Sequence, residues 1–162
     1  MRRLSTPRGI IIHHSLTKDT GTVSWLAIRR YHRLTKGWDD IGYHFGVEQV
    51  LGPGTGEHGT LEAACLIGRP PSLYGAHTLG RNDHLGLCVV GNFDLAQPPT
   101  AVWDAAVVLV AHLLWVFWLQ PRDVTGHRDH ANKSCPGTYF SMDLFKREVT
   151  RKLRKLHRVS RV

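Results

Sequence analysis

Cysteine is scarce, with three in 162 residues. An odd count this low excludes a small scaffold built on disulfides and fits a compartment that keeps thiols reduced. The opening stretch, Met1-Arg2-Arg3-Leu4-Ser5-Thr6-Pro7-Arg8-Gly9, has charge but no apolar run long enough for a signal peptide. Synthesis in the cytoplasm without Sec-type export is the expectation. Internal repeats, low-complexity tracts and linkers are also missing. The length therefore points to one domain, because domains commonly run to about 100–200 residues. Hydrophobic residues at 42% and charged residues at 21% give a globular chain rather than a disordered or fibrous one.

Acidic residues are nearly absent from the start of the chain. Residues 1–36 hold 8 Lys/Arg against Asp19 alone, and residues 121–162 hold 11 against 4 acids. The net charge of +8 thus sits at two basic ends around an acidic middle. The densest block, Lys146 to Arg161, reads as a helix over about 141–158 with Leu144, Phe145, Val149, Leu153 and Leu156 turned inward and cations outward. Such a face attracts a polyanion, either nucleic acid or an anionic envelope or membrane surface, and is equally compatible with simple solvation.

Gly9 to His14 is a β-branched run and predicts a buried strand. Thr22 can cap a helix to about Thr35, with Trp25, Ile28, Tyr31 and His32 on one stripe. Ile41 to Val50 alternates as a strand does, and Gly52-Pro53-Gly54-Thr55-Gly56 predicts a turn into a hairpin. Leu61 to Leu79 reads as irregular, Leu85 to Gly91 as a buried strand, and Val124 to Gly126 as a short strand. Ala101 to Leu119 has only Asp104 and His112 as ionisable residues. Its length approaches the ~20 residues of a membrane span. Asp104 and the lack of a preceding basic cluster favour a core helix instead, with a surplus apolar face around Trp115 and Trp118.

The chemistry lies among the 11 histidines. His127 stands at a strand end, and Cys135 follows eight residues later before Pro136-Gly137. Imidazole and thiolate are preferred zinc ligands, and a loop of this length can bring both to one ion. The third candidate is His13 or His14, of which strand alternation lets only one face the site. Two His and one Cys leave a fourth position for water, as catalysis requires. Cys88 reads as a packed core thiol, and a Cys65–Cys88 disulfide is the alternative.

Five pieces in register carry a resemblance: His13-His14-Ser15, Trp38 to Phe45 with Gly42-Tyr43-His44-Phe45, Gly75-Ala76-His77-Thr78, Gly86 to Phe93, and Gly126-His127-Arg128-Asp129 with Ser134-Cys135-Pro136-Gly137. Over residues 9 to 150 the chain resembles the zinc-dependent N-acetylmuramoyl-L-alanine amidases of the amidase type 2 family, which includes phage lysozymes of the amidase type and peptidoglycan recognition proteins.

The resemblance implies a single α/β domain over residues 1–162, a central mixed β-sheet flanked by helices with a zinc cleft on one face. It implies Zn²⁺ held by His13 rather than His14, by His127 and by Cys135. It gives catalytic roles to Tyr43 and Lys133, jointly the proton shuttle, and places His77 and Asn82 in the substrate groove. Glu62 to Leu73 departs from the family's Gly-Arg-Gly-Trp pattern in that groove. Lys133 and the retained Cys135 incline the chain toward the phage enzymes. The implied reaction is hydrolysis of the amide between N-acetylmuramic acid and L-alanine of the stem peptide, by an endolysin that acts on the cell wall after release. Peptidoglycan is the implied partner, a monomer is expected, and nucleic acid is not, because DNA binding leaves the metal constellation unexplained. The competing reading is a module that binds peptidoglycan without cutting it.

Overall fold

A computed structural model describes residues 2–17, 24–52 and 60–159. Five strands form one mixed sheet: β1 (Ile10–His14), β2 (Phe45–Leu51), β3 (Leu61–Ile67), β4 (Leu85–Val89) and β5 (Val124–Gly126). Their order is β3-β2-β4-β1-β5, with only the β2–β3 pair antiparallel. The inner strands β1 and β4 are buried at every residue. Strands covered on both faces read as continuous apolar runs, and this explains Ile10-Ile11-Ile12 and Leu85-Gly86-Leu87-Cys88-Val89.

Three helices cover the sheet: α1 (Trp25–Leu34), α2 (Thr100–Val116) and α3 (Met142–Val159). On one face, Ile10, Ile12, Leu85, Leu87, Val89 and Val124 join α2 and α3 in the main core. On the other, Trp25 and Ile28 of α1 pack with Ile41, Cys88 and Val90 in a smaller one. Alternation along β1 therefore sends Ile12 and His14 toward α2 and α3, and Ile11 and His13 toward the α1 side. Ser24 caps α1 by accepting from the Ala27 N–H at 3.3 Å, and the Glu48 carboxylate accepts from the Trp25 N–H at 2.6 Å.

Helix α2 follows β4 and precedes β5, both parallel to β1, so it must run back along the sheet. Helix α3 lies parallel to it: the Trp103 indole donates to Glu148 at 2.6 Å, and Asp104, Val107 and Val108 share a groove with Glu148, Arg151 and Lys155. Both helices therefore terminate at the end of the sheet remote from His13. Largely apolar, α2 packs on the sheet over β2 and β3, with α3 beside it toward β5. No helix among the described residues is long and apolar enough to cross a membrane. Its final stretch does leave Trp115 and Trp118 exposed, the latter at 89%.

The local expectations need three corrections, while Cys88 is the packed core thiol expected. Strand β2 starts at Phe45 rather than Ile41, because the Arg69 guanidinium pins the Asp40 and Ile41 carbonyls in a loop, at 3.3 and 2.6 Å. Residues 61–67 form β3, although Ala63-Ala64-Cys65 lacks strong β-formers; its register on β2 supplies what its propensity does not. Leu144 is 38% exposed, whereas Phe145, Val149 and Leu153 are buried as expected. All three cysteines are free, with β2 between β3, which carries Cys65, and β4, which carries Cys88. The Thr22 cap and the turn at residues 53–56 lie outside the described residues.

Phe145 is fully buried and meets Phe140 and Trp103, with ring centroids 5.3 and 5.2 Å apart. Phe145→Ala is expected to cost about 3–5 kcal/mol of stability by urea unfolding. A loss under about 1 kcal/mol would show that this aromatic cluster does not anchor α3.

Candidate metal centre

Parallel neighbours bring the candidate ligands together. β1 pairs with β5 in the register Ile12 to Gly126, so His13 and His127 leave adjacent strand ends side by side. Their ring centroids are 4.6 Å apart. Cys135 returns on a loop whose backbone is tied to the same strand end, with the Arg128 N–H donating to the Cys135 carbonyl at 2.7 Å. Asp94 fixes that loop from outside, accepting from the Ser134 hydroxyl at 2.6 Å and from the Thr138 N–H at 2.7 Å. At Gly137, φ is +122° and a Cβ would lie 2.5 Å from the Phe93 carbonyl carbon, so only glycine lets the loop close here.

The ligand atoms of His13, His127 and Cys135 all lie within 4.8 Å of one another. His13 Nδ1 is 3.8 Å from Cys135 Sγ. The neighbouring His14 faces the other way, accepting from the Phe93 N–H at 3.2 Å. Its backbone N–H still points at Cys135 Sγ, at 3.4 Å.

The electrostatics suit a cation. Burial holds the His13 pKa well below its ordinary value, helped by His77, His127, His14 and Lys133. Burial lowers His127 as well, followed by Lys133. Both imidazoles are therefore neutral and offer lone pairs. Burial pushes the Cys135 thiol up to about 11, against the His14 N–H and Lys133, which favour thiolate. Two neutral nitrogens and a sulfur that ionises when a positive charge arrives make a donor set that fits a divalent metal.

Tyr43 sits beside this cluster, its ring 5.1 Å from that of His13. Burial raises its pKa well above the ordinary value, with Cys88 and Cys135 adding to the effect, so the phenol stays protonated. Tyr43 packs against the small core cluster that contains Cys88. Lys133 is exposed on the ligand loop, close enough for its charge to act on all three ligands.

The groove residues are placed differently from expectation. Asn82 closes a turn, its Oδ1 accepting from the N–H groups of His77 and Thr78 at 2.8 and 3.0 Å. His77 turns into the protein with both ring nitrogens engaged. Its Nε2 is 3.0 Å from the His84 carbonyl and its Nδ1 is 3.0 Å from His13 Nε2.

The family described as N-acetylmuramoyl-L-alanine amidase matches residues 3–138. The endolysin of Klebsiella phage KP32 is 33% identical over 131 residues, 78% of this chain and 78% of that protein. Peptidoglycan-recognition protein LB of Drosophila melanogaster is 31% identical over 137 residues, 79% of this chain but 53% of that protein. Among solved structures, the Ph2119 endolysin of a Thermus scotoductus bacteriophage shares the fold with a TM-score of 0.72 at 22% identity, over 92% of this chain and 88% of that one. The chain belongs to the N-acetylmuramoyl-L-alanine amidase family.

Within this amidase-family chain, several supporting residues escape sequence reasoning. Arg69 is buried and donates to the carbonyls of Ile41 and Tyr74 at 2.6 and 3.0 Å, fixing the approach to Tyr43. Asp94 holds the Cys135 loop from 40 residues away in sequence. A buried arginine amid carbonyls and an acid before a turn carry no local signal of either role. Cys135→Ser is expected to remove tight metal binding while the fold persists, read by metal content after gel filtration and by circular dichroism. Retention of a full equivalent of metal would exclude Cys135 as a ligand.

Proposed function

We propose that this amidase-family chain is a zinc-dependent peptidoglycan hydrolase of the endolysin type, cutting the amide between the lactyl group of N-acetylmuramic acid and L-alanine of the stem peptide. The observation that carries this reading is the convergence of His13, His127 and Cys135 next to Tyr43 and Lys133. Two imidazoles and one thiolate suit zinc among the common divalent ions, and three protein ligands leave a position open. Zinc held there supplies Lewis acidity, which polarises an amide carbonyl and lowers the pKa of a water molecule to about 7.

The protein groups do the rest. Neutral His13 and His127 present lone pairs, and the Cys135 thiolate offsets part of the ion's charge. Tyr43 enters the reaction protonated and donates a hydrogen bond to the oxyanion that develops on the scissile carbonyl. Lys133, on the exposed rim, adds positive charge at the same place and shares with Tyr43 the transfer of a proton to the leaving amine. Asn82, beyond its turn, and the neighbouring cleft wall contact the glycan or stem peptide. The alternative is a peptidoglycan-binding module without hydrolysis, since a recognition protein is among the relatives. Retention of Cys135, Tyr43 and Lys133 together favours the enzyme.

Digestion of purified peptidoglycan with and without a chelator, with mass spectrometry of the products, tests the proposal. Free stem peptides beginning with L-alanine are expected only when metal is present. Binding to peptidoglycan with no peptide released would support the recognition module instead. Tyr43→Phe is expected to keep its zinc and lose turnover by about 100-fold or more. Unchanged turnover would remove Tyr43 from the mechanism.

The same reading places the chain on the cell wall as a monomer after release. An anionic envelope surface is its second proposed partner, met by the end of the molecule remote from the metal centre. There Trp118, at φ +56°, lines a groove of about 420 Å³ with Phe117, Pro71 and the segment Ser5 to Pro7, which Arg3 and Arg8 bracket. Exposed Trp beside Arg favours a headgroup interface over bare polyanion. The exposed cations Arg154, Lys155 and Arg158 end α3 at the same pole. Anionic phospholipid vesicles are expected to bind the protein in a salt-sensitive manner. Trp118→Gly, which suits the left-handed backbone, is expected to weaken that binding several-fold. Equal binding by the variant, or a preference for duplex DNA over vesicles, would refute the membrane surface.

A further inference from the structure

His77 has no place in the mechanism above, although it is held more tightly than any substrate contact requires. Its ring fills a slot made by two glycines. A Cβ at Gly86 of β4 would lie 2.4 Å from His77 Cδ2, and one at Gly75 would also lie 2.4 Å from that atom. The rim of the slot is the His44 ring, edge-on with a centroid separation of 5.8 Å.

Hydrogen-bond logic then fixes every proton in the row. The His84 carbonyl can only accept, so His77 Nε2, 3.0 Å away, must carry a hydrogen. The ring is enclosed and its hydrogen-bond partners are a carbonyl, a hydroxyl and a second imidazole, none of them an acid, so it is neutral and Nδ1 holds a lone pair. That lone pair faces His13 Nε2 at 3.0 Å. Two bare nitrogens at this separation would repel, so His13 Nε2 carries a hydrogen and donates it. The Thr78 hydroxyl, 3.0 Å from His77 Nδ1 and 3.4 Å from His13 Nε2, closes a three-centre contact: it accepts a share of the His13 hydrogen, and its own hydrogen shares the one His77 lone pair. With its one hydrogen on Nε2, neutral His13 has a bare Nδ1, the atom that lies 3.8 Å from Cys135 Sγ.

We infer that His77 is a positioning residue for the metal centre: the chain from the His84 carbonyl through His77 to His13 locks the His13 tautomer and aims its Nδ1 lone pair at the ion. This inference rests on the metal-centre reading and displaces the expectation that His77 contacts substrate. Partners that orient a ligating histidine typically contribute 10–100-fold in metal affinity.

The test uses the full chain and needs no substrate, so it stands apart from the amidase reading. Zinc affinity is measured by competition with a chromophoric chelator for the wild type, His77→Phe and His77→Asn. His77→Phe fills the slot without an acceptor and is expected to bind zinc about 10–100-fold more weakly. His77→Asn restores an acceptor near the Nδ1 position and is expected to recover part of the loss. Nitrogen-15 spectra of the metal-free wild type are expected to show His13 protonated at Nε2 and bare at Nδ1, with that preference blurred in His77→Phe. Unchanged zinc affinity together with a raised KM would overturn the inference and return His77 to the substrate groove. A wild-type His13 protonated at Nδ1 would overturn it even if the variants failed to fold.

Discussion

His13 is an ionisable group buried at the end of a central parallel strand, 1% exposed, between two other strands. A charge there would be costly, so the imidazole must be neutral, and a neutral imidazole has one lone pair to place. The surrounding architecture responds to that constraint. β5 sets His127 beside it, the 127–135 loop brings Cys135 back to it, and the Gly75–Gly86 slot holds the ring that takes its Nε2 hydrogen. The candidate metal centre is thus built at the ends of adjacent strands, with His13 on β1, His127 just past β5 and Cys135 on a loop tied back to them, and precision is expected of a site anchored to the sheet.

The two faces of the sheet divide the labour. Leu85, Leu87 and Val89 of β4 support α2 and α3, while the intervening Gly86 and Cys88 serve the site, one as space for His77 and the other in the small core against which Tyr43 packs. Any shift of β4 by one residue would exchange these roles. The helical layer has its own polarity. Trp103 and Glu148 pin α2 to α3 near the end of the sheet that carries the metal centre, and the exposed tryptophans and terminal cations collect at the opposite end. The envelope contact proposed for one pole would leave the cleft at the other unobstructed.

Much of this was legible in the sequence, for identifiable reasons. The β-branched run at residues 10–12, the glycine-rich strand at 85–91 and the amphipathic end of the chain each announce their element. The His127–Cys135 spacing alone announces little, since a His and a Cys eight apart are common by chance; its register with the other four motifs points to a metal loop. Alternation alone left His13 and His14 undecided; the structure separates them by giving His14 the Phe93 N–H. β3 was hidden because Ala63, Ala64 and Cys65 draw their strand character from β2, not from propensity. The role of His77 was hidden more deeply. Its partners are a carbonyl seven residues on, a glycine on another strand and a histidine 64 residues earlier, none of which its own motif encodes. Asp94 and Arg69 were silent for the same reason: each holds a loop by backbone contacts.

The proposed chemistry depends on His13, His127 and Cys135 holding a single zinc ion. X-ray absorption at the zinc edge of the metal-loaded wild type examines it without variants or substrate. The account predicts one sulfur at about 2.3 Å and two imidazole nitrogens at about 2.0–2.1 Å, with the remaining position filled by a light atom. A zinc shell without sulfur, or one with two sulfurs, would contradict it.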